Sequence, residues 1–427
     1  MTRPRKEKRA SRSTNVCTNH TPLVEFVANV DFNFRFPNAS AAAEQQGRAG
    51  DQCLTNLHPF IDQIINHHPD RFHVIGKTSK IKCLPSAQWS SYDFTKKRVL
   101  FLLPSHALGD NVPILTFIHA LDEKFGLNNV GVFCTGPTHD IYLTSELVTG
   151  YPIWITKKEL KRWSVVIDLG HLQSWKDIDI WPIDLEADLL AAFDLAPSSR
   201  YTGEARTLPA RELRIGILPL ASSPLRTLPA AATQALVKAL TAQGHVTLCL
   251  NRNQHQGVLY RDALGQINPA VDIVDAFESI GDLLTAIQQL DYAVFADSGP
   301  AHISKLFGTP GVAIYTSAPG DILQGRFRNL TRWTVPFAGP HCRAPCGLAK
   351  VRATVNGTVG CMGSLQTTLD ALPNLPRGRQ PETVKRLLVN APVPCIARLS
   401  DIAGELAAFV AHDLDNRIAH SGHPHRQ

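Results

Sequence analysis

Residues 291–320, DYAVFADSGPAHISKLFGTPGVAIYTSAPG, restrict what this chain can fold into more than any other stretch. Tyr292 to Ala296 is an apolar run without alternation, the pattern of a strand buried on both faces of a parallel sheet. Ser298 and Gly299 then permit a sharp turn. Pro300 suits a first helical position, where its missing N–H is not needed. Gly308 and Pro310 end the helix, and a second strand is expected from Gly311 to Tyr315. The N–H groups of such a helix start point out of the carboxyl edge of the sheet, where an anion can be held. Many α/β proteins contain a strand, turn and helix of this kind, so its meaning depends on the rest of the chain.

The rest repeats the same grammar. RVLFLLP (98–104) is a buried-strand run, followed by SHALGDNVP and a helix with apolar positions at Ile114, Leu115, Ile118, Leu121 and Phe125. VGVFC (130–134) and SVVIDL (164–169) supply further strands, so residues 96–205 read as one doubly wound α/β domain. A Pro/Ser/Gly/Arg-rich segment from Pro197 to Arg211 reads as a linker. A second α/β domain, 212–337, starts at LRIGILP (213–219) and continues through an Ala-rich helix (229–242), the strand HVTLCL (245–250) and a helix at 281–289. Residues 21–95 read as a small α+β extension, 338–398 as a Cys/Gly-rich module, and 399–427 as a C-terminal helix on Ile402, Leu406, Phe409, Val410 and Leu414, with a His-rich tail.

Composition excludes several classes. The 427 residues are 44% hydrophobic and 19% charged, the balance of a globular protein. The first twelve residues carry six Lys/Arg against one Glu, so about five of the six excess positive charges lie in the tail 1–20, read as disordered. The nearly neutral body argues against nucleic acid as a partner. No run reaches the ~18–20 apolar residues of a membrane span, and the basic start lacks the apolar core of a secretory signal, so a cytoplasmic location is expected. Nine cysteines without a signal point to thiols or a metal site rather than disulfides.

Two loops stand out besides the opening stretch. Ser105-His-Ala-Leu-Gly-Asp110 sits where the first strand of the first domain meets its helix. Asp110 reads either as the helix N-cap or as a general base facing an interdomain cleft. LPLASSPLRTLP (218–229) occupies the equivalent junction of the second domain. There Ser222, Ser223 and Thr227 offer hydroxyls, and Arg226 offers a guanidinium suited to phosphate oxygens. In the opening stretch Asp297 is either a helix cap or a ligand contact, and His302 either a packed helix residue or a ligand contact.

With these motifs in this order, the chain resembles glycosyltransferase family 9, the ADP-heptose:lipopolysaccharide heptosyltransferases and their relatives. The family's late pattern, Asp-Thr/Ser-Gly-x-x-His before a Gly-x-Pro strand entry, matches Asp297, Ser298, Gly299, His302, Gly308 and Pro310. Its early Gly-Asp matches Gly109 and Asp110, with the Asp as the base that deprotonates the acceptor hydroxyl. The family's phosphate loop carries Lys, then Arg and Trp-Pro. Here Arg226-Thr-Leu-Pro229 has Arg in place of the Lys and no Trp. The resemblance spans about 98–335. It implies a GT-B fold, two Rossmann-like domains facing a cleft, and an inverting transfer from a nucleotide-diphospho-sugar, with ADP-heptose the best single choice. The acceptor would be a glycan, lipid-linked or protein group, an expectation that leaves room for peripheral membrane association. Ser222, Ser223, Arg226, Thr227, Asp297, Ser298, Gly299 and His302 would surround the donor diphosphate, with no catalytic metal. The C-terminal helix could cross back onto the first domain, as in many GT-B enzymes. A non-catalytic sugar-nucleotide or partner-binding protein and a sugar-nucleotide epimerase on the same architecture are the rival readings.

Cys342, Cys346, Cys361 and Cys395 lie among turn-forming Pro and Gly residues that free backbone N–H groups to face sulfur. Four thiolates suit a tetrahedral structural iron or zinc ion, and four independent thiols are the alternative. A Cys-ligated iron insert in this part of the chain also resembles the autotransporter heptosyltransferases. The other five cysteines read as scattered structural thiols.

Overall fold

The computed structural model describes residues 17–18, 23–36, 38–78, 81–133, 135–172, 182–250, 255–339, 343–347, 389–390 and 392–421. The N-terminal extension builds an antiparallel sheet from β1 (Leu23–Ala28), β2 (Gln52–Thr55) and β3 (Phe72–Thr78). The fourth strand, Ile155–Thr156 beside β2, comes from the first α/β domain. Phe26, Phe60 and Phe72 of the extension pack in one cluster with Ile153 and Trp154. The extension therefore shares its core with the first domain instead of folding apart from it.

The first domain orders four parallel strands around β4 (Arg98–Leu102). β5 (Asn129–Phe133) and then β6 (Val148–Tyr151) lie on one side, and β7 (Val165–Asp168) on the other. Between β4 and β5 runs α1 (Leu108–Phe125), ended by Gly126 in the left-handed region at φ 55°. A shorter helix, α2 (Leu185–Ala192), follows β7, with Asp184 as its N-cap.

The second domain is a six-stranded parallel sheet. Its central strand is β8 (Leu213–Leu218), followed by α3 (Ala230–Leu240), β9 (Gly244–Cys249), β10 (Asp272–Val274) and α4 (Ile280–Gln289). The opening stretch then supplies β11 (Tyr292–Ala296), α5 (Gly299–Phe307) and β12 (Gly311–Tyr315), and β13 (Leu330–Thr334) closes the edge. The spatial order β10-β9-β8-β11-β12-β13 is the 3-2-1-4-5-6 order of a dinucleotide-type sheet. The strand order reverses between β8 and β11, so the loops leaving those two parallel strands flank the crevice where ligands of such sheets bind. Every residue of β11 and β12 is buried, as the uninterrupted apolar runs require.

The C-terminal helices correct one expectation. α6 (Pro394–Asp401) and α7 (Ala403–His420) bury Leu399, Leu406, Val410 and Leu414 against Leu236 and Leu240 of α3 in the core of the second domain. The apolar stripe of α7 is spent there, so the helix does not cross back to the first domain. α6 also runs across residue 398, the boundary expected from composition, because Val393, Cys395 and Ile396 belong to this core.

The two α/β domains also meet more intimately than two halves separated by a cleft. Val112, Phe117 and Ile118 of α1 share one apolar cluster with Ala301 and Ile303 of α5 and Phe295 of β11. The buried carboxylate of Asp140 ties three parts of the chain together. It accepts from Ser40 N (3.0 Å) and Ser40 Oγ (2.6 Å) of the extension and from Gly281 N (2.8 Å) of α4.

Candidate active site

A cleft of ≈ 490 Å³ opens beside this shared core and is lined by both domains. Asp110 lies in its wall but is not the N-cap. α1 starts after Ala107, which places Asp110 in the first turn, where its carboxylate accepts from Ser105 Oγ. Ser105 also accepts from Ala107 N (3.2 Å), so it holds both the turn and the carboxylate. Pro113 lies six residues into α1 and cannot donate to the Gly109 carbonyl, which loses its helical partner on the cleft wall.

The loop from Pro219 to Pro229 is folded on itself. Thr227 is 3% exposed, accepts from Ala221 N (3.1 Å) and donates back to the loop carbonyls, so it builds the turn and does not line the cleft. Ser222, Ser223 and Arg226 do line it. Ser222 Oγ accepts from Arg226 Nη2 (3.1 Å), and Arg226 Nη1 stands 3.7 Å from Asp297 Oδ1. Among the described residues, Arg226 Nε is buried without a partner, as is Asp297 Oδ2.

Asp297 is not a helix cap either. Ser298 holds that position, and the Asp297 carboxylate is turned beneath the loop towards Arg226. Burial raises its pKa, opposed by the charges of Arg226 and Lys305. Ser298 and Gly299 line the cleft, and Ser298 Oγ donates to Ala296 O (3.1 Å). The Gly299 N–H, at the first position of α5, has no intrahelical partner and carries the positive end of the helix dipole.

Two glycines explain how closely the halves approach. A Cβ on Gly299 would stand 2.7 Å from Leu108 Cβ, and one on Gly109 3.2 Å from His302 Cδ2. The Gly109-Asp110 and Ser298-Gly299 motifs, far apart in sequence, are thus nearly in contact. His302 packs against Gly109 and lines the cleft, its Nδ1 buried without a partner among the described residues. Burial, then the Lys305 and Arg226 charges, push its pKa well below the ordinary value, so the ring is neutral.

Sequence reasoning missed Lys305, which is 6% exposed, lines the cleft and donates to Leu323 O (2.6 Å). It also missed the Glu186 carboxylate of α2, held by Arg326 through two bonds of 2.9 and 3.0 Å. Of the four cysteines, Cys346 and Cys395 pack on the core of the second domain, while Cys342 and Cys361 lie outside the described residues. Among the described residues no group of three or more His, Cys, Asp or Glu could hold a metal ion, and no helix is long and apolar enough to cross a membrane.

Two Rossmann-like domains, with a cleft at the switch point of the second roofed by the first strand–helix loop of the other, define the GT-B class of fold. Residues 184–332, about a third of the chain, match the model of glycosyltransferase family 9 (heptosyltransferase). No curated protein matches the chain. Among solved structures, a family 9 glycosyltransferase from Veillonella parvula is 13% identical, with 57% of this chain and 88% of that one covered and a TM-score of 0.45. E. coli ADP-heptose lps heptosyltransferase II is 16% identical over 55% of this chain and 90% of its own, with a TM-score of 0.42. The iron-containing dodecameric glycosyltransferase TibC from enterotoxigenic E. coli is 11% identical over 95% of this chain and 94% of its own, with a TM-score of 0.45.

Proposed function

We propose that the cleft binds a nucleotide-diphospho-sugar, ADP-heptose as the best single choice, and transfers the sugar with inversion to a hydroxyl of a glycan, lipid-linked or protein acceptor. The reaction is cytoplasmic, at the membrane face when the acceptor is lipid-linked. The observation that carries the reading is that a carboxylate of the first domain, Asp110, and the cationic Arg226 loop with the α5 start of the second line one cleft.

Asp110 accepts the proton of the acceptor hydroxyl as its oxygen bonds to the anomeric carbon. The bond from that carbon to the diphosphate breaks, and its electron pair stays on the phosphate oxygen. Arg226, the Gly299 N–H and the α5 dipole at Ala301 stabilise that charge, with Ser222, Ser223 and Ser298 around it. Asp297 acts from behind, orienting Arg226 across 3.7 Å. A neutral His302 leaves Arg226 as the cation nearest the leaving group. Cys249, Phe277 and Leu283 give an apolar wall suited to the nucleoside base. These side chains supply the positive charge the leaving group needs without a catalytic metal.

The test is Asp110→Asn with ADP-heptose and an acceptor extract. Transfer falls by about 10²–10⁴-fold while ADP binding persists. Transfer at the wild-type rate would refute the assignment, and a new sugar–nucleotide isomer formed without acceptor would favour an epimerase instead.

A structural iron or zinc ion on Cys342, Cys346, Cys361 and Cys395 belongs to the same proposal. Its support is that Cys346 and Cys395, 49 residues apart in sequence, pack against the same core cluster.

A further inference from the structure

Beyond the proposed diphosphate site, the cleft has a second polar end. Its lining continues along α1 from Asp110 to Thr116 and along α5 from Gly299 to Lys305, and it reaches Asp184 and Glu186 at the start of α2. Lys305 is more than nine-tenths buried, yet no carboxylate lies within 4.0 Å of its ammonium among the described residues. Of its three donor hydrogens one is used by Leu323 O. The Leu323 carbonyl and the face of Phe327, its centroid 5.1 Å away, compensate this buried ammonium only in part, and a ligand that accepts from it lowers the remaining penalty. Glu186 is committed to Arg326, whereas Asp184 spends Oδ1 on the Ala187 N–H as the cap of α2 and keeps further acceptor capacity. An open ammonium and an open carboxylate at one end of a cleft match a polyol, whose hydroxyls accept from the first and donate to the second.

We propose that Lys305 and Asp184 form a hydroxyl-recognition subsite for the sugar of the donor. The inference rests on the donor-site reading above. Six residues of α5 separate Gly299 from Lys305, about 9 Å of helix rise, the reach of one sugar ring and its exocyclic chain. A diphosphate at the α5 start then leaves its sugar lying along the helix, with its far hydroxyls on Lys305 and Asp184.

Calorimetric binding of ADP and of ADP-heptose to the full chain tests this, in wild type, Lys305→Met and Asp184→Asn. Asn at 184 retains the helix cap, so that variant keeps its fold. ADP affinity stays within about twofold in all three, while ADP-heptose affinity drops about tenfold or more in each variant, as for a lost hydrogen bond to a charged group. Equal weakening of both ligands would put Lys305 in the diphosphate site and overturn the proposal, and unchanged affinity for both would overturn it too. A wild-type chain that binds neither ligand refutes the donor-site reading itself, so the wild-type titration tells the two failures apart.

Discussion

Replacing Gly299 with Ala tests whether the two domains are held as closely as the structure has them. The new Cβ would sit 2.7 Å from Leu108 Cβ, against 3.4 Å for ordinary contact, a shortfall of about 0.7 Å. Leu108 Cβ is one bond from the backbone of α1, so no rotamer change relieves it, and α1 and α5 must separate. Overpacking of this kind costs about 1–3 kcal/mol, and the better helix propensity of Ala returns up to about 1 kcal/mol. With the unfolding entropy of a 427-residue chain, a net loss of about 1–2 kcal/mol lowers Tm by about 1–2 °C in scanning calorimetry. Gly109→Ala is the internal control at the same interface. Its Cβ meets an imidazole carbon at 3.2 Å, a shortfall of about 0.2 Å that ring movement absorbs. With the gain in helix propensity, that variant stays within about 0.5 kcal/mol of wild type. Equal effects of the two substitutions, or a higher Tm for Gly299→Ala, would refute the close packing of the two helix starts.

Three further outcomes follow from the geometry. Burial pushes the Lys305 ammonium from 10.5 to about 8, opposed by Glu186 and Asp184. Between those values the unfolded chain holds more protons, so stability rises with pH from about 8 to 10.5 and is lost as pH falls through the folded value. The rise is about 3 kcal/mol at most. Urea midpoints of wild type and Lys305→Met should diverge over that window, and parallel curves would refute a buried ammonium. Asp140→Ala strips the shared acceptor from Ser40 and Gly281 and should cost about 2–3 kcal/mol, with faster hydrogen exchange at the Gly281 amide; unchanged protection there would dismiss the three-way tie. Elemental analysis of the purified protein should find one equivalent of iron or zinc that Cys361→Ser loses, and a metal-free native protein would dismiss the four-cysteine site.

Most strands of the two parallel sheets and both cleft loops were legible because the signals are local. The runs RVLFLLP, LRIGILP and YAVFA are apolar throughout since each strand is covered on both faces, and a buried parallel strand needs little from afar to declare itself. That Ser222, Arg226, Ser298 and Gly299 line the cleft was legible for a related reason: the crevice of such a sheet opens at the loops after particular strands, and those loops follow the runs directly. What failed was everything decided at a distance. Asp next to a helix start is a good cap, so the cap stayed open as one of two readings for Asp110 and Asp297, and for Asp297 only the tertiary position of Arg226, 71 residues away, turns the carboxylate elsewhere. The stripe of α7 announces a buried face but not which surface covers it, and α3 lies more than 160 residues earlier in the chain. Lys305 is the sharpest case. In ISKLFG it reads as an ordinary cation in the last turn of a helix, suited to the dipole and to solvent. Its burial comes from Leu323 and Phe327 on one side and from the α2 start on the other, across a domain interface. Ser298 and Gly299, six or seven residues upstream on the same helix, could be read because the backbone turn forces their role, whereas Lys305 depends on which surface the other domain brings to it.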